Sequence, residues 1–489
     1  MALSVTQNTS LYTAAAIAQK VISFLYFTII ARTIGVENTG AYFFAIAFTS
    51  IFVVVADFGF APVLTREAAR TPEATSRLLP TTLTTKIIGG FLTYGLVLLV
   101  SAALRYQPEQ RFLIAISGLT MFFDNLHSAF YSVLRARRNL AYEGAGIIAS
   151  QLITLGIGTA ALLFRWPLVW LILAYTIPSA LNLLYAALVV HWRLRVAVRL
   201  GFDQFQWQKL FRIALPFALS GIIVRLYNYS DTVLISKLLP KEALGWWSVP
   251  AKIINAIQFL PMAVAASVFP VMSNLWRRDQ ATVARIYERA FRYLLLVSLP
   301  VAGGLIAIAE PAVAAVYGPA YFPAVVPLQL VLVGLAASFL SVINGTLLNA
   351  ADRQRTQTGI LAIGLVFTVG SNLILLPRFG LFGAALTSAS GSWLIWLLGW
   401  RAVRRVAPVA GRALFGRAML IVGPAAAMSA LSYWLFFYSH WQWLLVIPAA
   451  AVCYGAGILL TGALKIKEIR DFWQTLFSRR PELSVSSEI

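Results

Sequence analysis

The sequence repeats one pattern along its whole length: an apolar run of about 18–27 residues, then a short polar or basic break. A run that long crosses a ~30 Å hydrocarbon core as a single helix. Lipid offers the backbone no water, so an open chain satisfies its N–H and C=O groups there only as helices. Fourteen runs are expected to span. In the first half they are Leu11–Ile34, Ala41–Pro62, Leu83–Leu104, Phe112–Leu134, Gly144–Phe164 and Leu168–Val190. Then come Ile213–Leu239, Trp246–Met272, Tyr293–Tyr317, Ala324–Ala350, Gly359–Leu376, Leu381–Val403, Ala418–Phe437 and Trp443–Leu464. With 60% hydrophobic and 12% charged residues, the chain has too little polar surface to face water. No basic leader precedes the first run, so it is expected to stay as a membrane helix. Cys453 is the single cysteine, which leaves no partner for an internal disulfide and no thiol cluster for a metal.

A net charge of +21 raises nucleic acid as a partner, but the cations sit in short clusters between apolar runs. Of the 39 Lys and Arg residues, 29 fall in one set of alternate connections and 7 in the other. The rich set includes Arg66, Arg70, Arg77 and Lys86, then Arg135, Arg137 and Arg138, and the tail residues Lys465, Lys467, Arg470, Arg479 and Arg480. By the positive-inside rule both termini are expected in the cytoplasm. The expected organisation is a first lobe of six helices (1–191), an interfacial linker (192–212), a second six-helix lobe (213–405), two further helices (406–464) and a cytoplasmic tail (465–489). The linker mixes Phe202, Phe205, Trp207 and Phe211 with basic residues, as a segment lying in the membrane interface does.

Shifting the chain by 205 residues aligns the starts of the two lobes without a gap. Lys20 falls on Arg225, Arg32 on Lys237, Glu37 on Glu242, Gly40 on Gly245 and Tyr42 on Trp247. A shift of 213 pairs Leu162-Leu163-x-Arg165 with Leu375-Leu376-x-Arg378. Six helices per copy is an even number, so the copies form a parallel repeat about the membrane normal. In such proteins the substrate path usually runs between the halves.

Ionisable groups at bilayer depth cost at least ~2.5–3.5 kcal/mol and face a partner, a wet cavity or a substrate. Lys20 lies roughly 14 Å along its helix, near mid-membrane, and Arg225 is about as deep. Together they suit an anionic group such as a pyrophosphate. Paired with Asp231 or Asp57, Arg225 would instead be structural glue. Lys252, six residues past the start of its run, can snorkel to the interface or join the substrate site. Asp124 and His127 share a helix face at i and i+3, which fits a proton relay or a hydrogen bond holding helices together. Asp57, near the basic end of its run, fits a cap or loop anchor. With Asp231 these residues are the candidates for coupling or gating.

Several motifs run in order through the chain: Gly35-x-Glu37-x-x-Gly40, Asp57-Phe58-Gly59-Phe60 with Arg66-Glu67, and Pro216 through Asp231 followed by Gly245 and Phe269-Pro270. Tyr317-Gly318-Pro319-x-Tyr321 and Leu376-Pro377-Arg378-Phe379-Gly380-Leu381-Phe382-Gly383-Ala384-Ala385 complete the set. The sequence thereby resembles the polysaccharide transporters, the Wzx-type O-antigen flippases of the multidrug/oligosaccharidyl-lipid/polysaccharide exporter superfamily. The resemblance implies an all-α polytopic membrane protein with a twelve-helix, two-lobe core, here with two extra helices. It implies alternating access in a bacterial inner membrane, with a central cationic cavity that carries undecaprenyl-pyrophosphate-linked oligosaccharide outward. It implies no cofactor, a proton or sodium gradient as the candidate energy source, and polysaccharide polymerase or assembly proteins as candidate partners.

Three alternatives differ in what they need. A drug antiporter of the same superfamily favours a cavity dominated by carboxylates, against Lys20 and Arg225. A lipid II flippase also has fourteen helices, but calls for a denser arginine cluster in the first two. A glycosyl or polyprenyl transferase needs a metal-binding acidic motif or a sizeable catalytic loop, and Asp57, Asp124 and Asp231 stand apart. No Walker-type glycine loop is present for direct ATP use.

Overall fold

A computed structural model gives the fold and describes residues 5–439 and 442–464. The expected tail, 465–489, lies outside the described residues. The first half of the chain forms α1 (Val5–Ile34), α2 (Val36–Asp57), a short α3 (Phe60–Arg70), α4 (Thr75–Ala103), α5 (Pro108–Ala136), α6 (Leu140–Leu163) and α7 (Val169–Leu194). The second half forms α8 (Gln204–Leu238), α9 (Lys241–Ile257), α10 (Phe259–Leu275), α11 (Gln280–Ala307), α12 (Ala309–Tyr317), α13 (Val325–Val333), α14 (Leu335–Ala350) and α15 (Gln354–Val406). Two more helices follow, α16 (Gly411–Phe437) and α17 (Trp443–Leu460).

Among the described residues, ten helices are long and apolar enough to span a membrane, or eleven if the pair bent by 42° at Gly334 is one span. The sequence led us to expect fourteen, and the difference has local causes. α15 is one element of 53 residues, yet Gly380 inside it has φ 56° and ψ −138°. The expected spans 359–376 and 381–403 lie on either side of that turn. α5 is long enough but carries Glu109, Arg111, Asp124 and Arg135. The expected Trp443–Leu464 run forms a shorter apolar helix, Leu444–Leu460, while the Trp246–Met272 and Tyr293–Tyr317 runs, though interrupted at Gln258 and Ile308, each still contribute a span.

Small residues set the helix contacts. Tyr26 of α1 fills the notch at Gly158 of α6, where a Cβ would sit 1.5 Å from its hydroxyl. α2 and α9 cross at Gly40 and Gly245, so closely that a Cβ on Gly40 would lie 2.7 Å from the Gly245 nitrogen. Such small-residue crossings let backbones approach where lipid supplies no hydrophobic drive between helices. α16 docks on α11 through Ser429, which fills the notch at Gly303. Tyr454 of α17 donates to the Leu296 carbonyl at 2.9 Å.

The expected linker is helical from Gln204, nine residues before the expected run at Ile213, because Asp203 caps the backbone N–H groups of Phe205 and Gln206. Phe202 and Phe205 are exposed, while Phe211 stacks on Phe58 at 5.1 Å. Lys209 pairs with Glu67 of α3 at 2.8 Å, and this hydrogen bond holds the Glu67 carboxyl below the usual carboxylate range. The contribution of the pair is present above that range and fades as pH falls through the lowered value.

Candidate functional site

Helix periodicity sorts the residues of α1. Ala15 and Tyr26 face α6, where Ala15 Cβ stands 3.5 Å from a Cβ built on Gly144. Lys20, Phe24 and Phe27, at i, i+4 and i+7, share another face. That face meets α9. The Lys252 ammonium lies 4.7 Å from the centre of the Phe27 ring, and Lys20 is close enough to Lys252 for the two charges to repel. Lys20 is exposed and Lys252 half-buried. A cation over an aromatic face, with the positive charge of Lys20 adding to the local field, forms a site that an anion relieves.

An apolar cavity of about 720 Å³ lies along the same two helices, with neither lysine in its lining. Phe24 and Ile253 line it, the latter next in sequence to Lys252, together with Tyr317, Met428 and Tyr454. It therefore runs from the seam between α1 and α9 to α16 and α17.

The end of the bundle away from the arginine clusters is sealed by contacts between the halves. Tyr321 donates toward the Ala31 carbonyl and Thr39 Oγ1, each at 2.9 Å. Lys241 pairs with Glu37 at 3.4 Å, Tyr106 hydrogen-bonds Ser236 at 2.8 Å, and Lys237 lies over the Tyr106 ring at 3.5 Å. With the Gly40–Gly245 crossing, these contacts close that end. Replacing Tyr321 with phenylalanine is expected to weaken the seal by about 0.5–1.5 kcal/mol. A double-mutant cycle with Thr39→Val, read by thermal unfolding, checks this: additive effects would mean the hydroxyl does not couple the halves.

The other candidates from the sequence lie elsewhere in the bundle. Arg225 lies one turn past Gly221, whose notch holds Val54 of α2, in the stretch of α8 that runs along α2. Among the described residues no ion pair joins Arg225 to Asp57 or Asp231. Asp231 accepts from the Thr232 backbone at 2.7 Å and its hydroxyl at 3.3 Å. Asp124 bonds His127 at 3.1 Å and accepts from Ser179, which ties α5 to α7. Asp57 accepts from the Ala61 backbone at 3.3 Å and also pairs with Lys86.

Lys86 corrects the sequence reading that counted it with the loop cations. It is 1% exposed inside α4, and its ammonium reaches Asp57, the Asn125 carbonyl at 2.9 Å, Asn125 Oδ1 at 3.1 Å and Ser128 at 2.7 Å. Its position three residues into an apolar run was the available signal. A second pair joins α5 to α6 through the exposed Arg135 and the buried Glu143, and Tyr12 brings in α1. Among the described residues no three His, Cys, Asp or Glu side chains gather as metal ligands.

These helices, with two sets of spans meeting around a cationic seam, have the fold of the multidrug/oligosaccharidyl-lipid/polysaccharide exporter superfamily of membrane transporters. The chain belongs to the polysaccharide biosynthesis protein family, whose model matches residues 5–276. An uncharacterized membrane protein of Methanocaldococcus jannaschii is 26% identical over 172 residues, or 35% of this chain and 34% of that protein. The chain thus matches about a third of the length of that relative. A Haloferax volcanii protein described as "Probable low-salt glycan biosynthesis flippase Agl15" is 22% identical over 389 residues, covering 75% of this chain and 77% of that one. Among solved structures, the lipid II flippase MurJ in an inward closed conformation superposes with a TM-score of 0.72. It is 15% identical and covers 95% of this chain and 99% of that chain, a likeness of fold.

Proposed function

We propose that this protein is a flippase for undecaprenyl-pyrophosphate-linked oligosaccharide. It moves its substrate from the cytoplasmic to the outer leaflet of a bacterial inner membrane by alternating access, for assembly of a surface polysaccharide. The observation that carries this reading is the Lys20–Lys252 pair with the 720 Å³ apolar cavity along the same helices. A diphosphate needs cations and a polyprenyl chain needs apolar volume, and Phe24, one turn along α1 from Lys20, lines that volume. The Haloferax volcanii relative, a glycan flippase by name, points the same way. In this reading the arginine-rich end faces the cytoplasm, the sealed end faces outward, and the glycan occupies the space between the halves. Arg225 meets the anionic substrate from α8 as the pyrophosphate moves. Asp124, His127, Asp57 and Asp231 are the groups through which a proton or sodium gradient couples. The chain acts as a transporter, delivering its cargo to polymerase or assembly proteins.

The test is transbilayer movement of a fluorescent undecaprenyl-pyrophosphate oligosaccharide in proteoliposomes, read with a membrane-impermeant sugar-modifying reagent. Lys20→Gln/Lys252→Gln is expected to slow movement by ~10²-fold, since each charge-assisted contact contributes about 1.5–3 kcal/mol. Arg225→Gln is expected to give a smaller loss. Wild-type protein that moves no lipid-linked glycan but exports an organic cation would replace this function with drug antiport.

A further inference from the structure

At the arginine-rich end, a pocket of about 250 Å³ opens between the start of α11 and the start of α16. Arg285, Arg289 and Arg292 line it. Spaced i, i+4 and i+7, they share one helix face. Arg285 and Arg289 are exposed and Arg292 is half-buried, so positive charge runs from the surface inward. Arg285 also donates to Thr282 Oγ1 at 2.7 Å, and Arg292 reaches the Tyr293 ring at 5.5 Å. The acid in the lining, Glu288, accepts from the Ala410 backbone at 2.9 Å at the start of α16, one of its oxygens being taken by that helix end. Below the charges the walls become apolar at Leu295, Leu414 and Ile421.

We propose that this pocket binds an anionic phospholipid. Its phosphate lies on Arg285, Arg289 and Arg292, and an acyl chain follows Leu295, Leu414 and Ile421. Guanidinium forks match phosphate oxygens in bidentate geometry. Basic pockets between membrane helices at the polar boundary are suited to lipid headgroups. Position favours a lipid over a soluble anion. α11 and α16 both contain candidate spans, and the arginines run through the first half of α11 from its arginine-rich end. The apolar walls give an acyl chain a surface that a free phosphate cannot use. The lipid joins α16 to the second half at this end, while Ser429 in the Gly303 notch joins them further in. Neither the Lys20–Lys252 pair nor the apolar cavity along its helices takes part.

The experiment uses the full chain in two formats. Native mass spectrometry counts phosphatidylglycerol retained from detergent. Nanodiscs of phosphatidylcholine, with and without one-fifth phosphatidylglycerol, give the thermal midpoint (a mole fraction of roughly 0.2, enough to saturate a specific site). Wild type is expected to retain one more phosphatidylglycerol than Arg285→Gln/Arg289→Gln/Arg292→Gln, with apparent affinity at least ~tenfold higher, and to gain midpoint from the anionic lipid. A control variant at the same end, Arg277→Gln/Arg278→Gln/Arg353→Gln, is expected to behave as wild type. The proposal is overturned if the pocket variant retains as much lipid as wild type, or if the control loses as much. It is also overturned if inorganic phosphate in plain phosphatidylcholine supplies the whole gain, which makes the pocket a soluble-anion site. Should the triple variant fail to fold, Arg289→Gln read by the same count decides, and unchanged retention overturns the proposal.

Discussion

Lys86→Met is expected to destabilise the protein by about 3–5 kcal/mol, the usual cost of removing one partner from a buried ion pair. The Lys86 side chain is fully covered and gathers oxygens from α2 and α5 around one ammonium. Methionine matches its length and removes only the charge and the donors. Asp57 and the Asn125 carbonyl then face each other with no proton between them. The double variant Lys86→Met/Asp57→Asn is expected to recover most of the loss, because it removes the stranded charge as well. Thermal and denaturant unfolding of purified single and double variants in one detergent gives the comparison. A single variant within about 0.5 kcal/mol of wild type would show that the cluster does not hold α2, α4 and α5 together.

Gly245→Val is expected to force open the sealed end. A Cβ at this position would lie 2.1 Å from the Val36 carbonyl oxygen and 2.6 Å from Val36 Cγ1, and backbone cannot swing aside as a flexible side chain does. Overpacking of this kind costs about 1–3 kcal/mol, and the halves escape it by separating. A bias of that size shifts a two-state population by about 5–150-fold. With the native cysteine removed as Cys453→Ala, a cysteine introduced by Thr39→Cys reports the result, since Thr39 is fully buried at this seam. Labelling by an impermeant maleimide should rise at least ~10-fold on adding Gly245→Val, while glycan movement falls. Unchanged labelling would mean the crossing does not set the conformation.

The apolar runs made the helices legible because lipid-facing length is a local property of sequence. Breaks within helices were less so. The turn of α15 at Gly380 was announced by Pro377 and Arg378 between two expected spans, whereas Gln258 separates α9 from α10 inside a single expected run. The site was legible by residue type but not by pairing. Lys20 stood out by depth, but sequence alone left Lys252, whose charge feels that of Lys20, free to snorkel. Lys86 was hidden for a related reason. Its partners lie 29 residues before it and 39 after it, and counting cations by connection assigned it to a loop.

The two seams between the halves are not alike. Along α2 and α8 the contact runs from Val54 in the Gly221 notch to the stacked rings of Phe58 and Phe211, and the Glu67–Lys209 pair fastens its end. Along α1 and α9, among the described residues, an ammonium lies over a ring with a second cation acting on it, and an apolar cavity opens along the same helices. The molecule is bound like a book, with a spine and a fore-edge. A chemical staple across Val54 and Gly221 should therefore leave it working, whereas one across Phe24 and Ile253 should hold its pages shut.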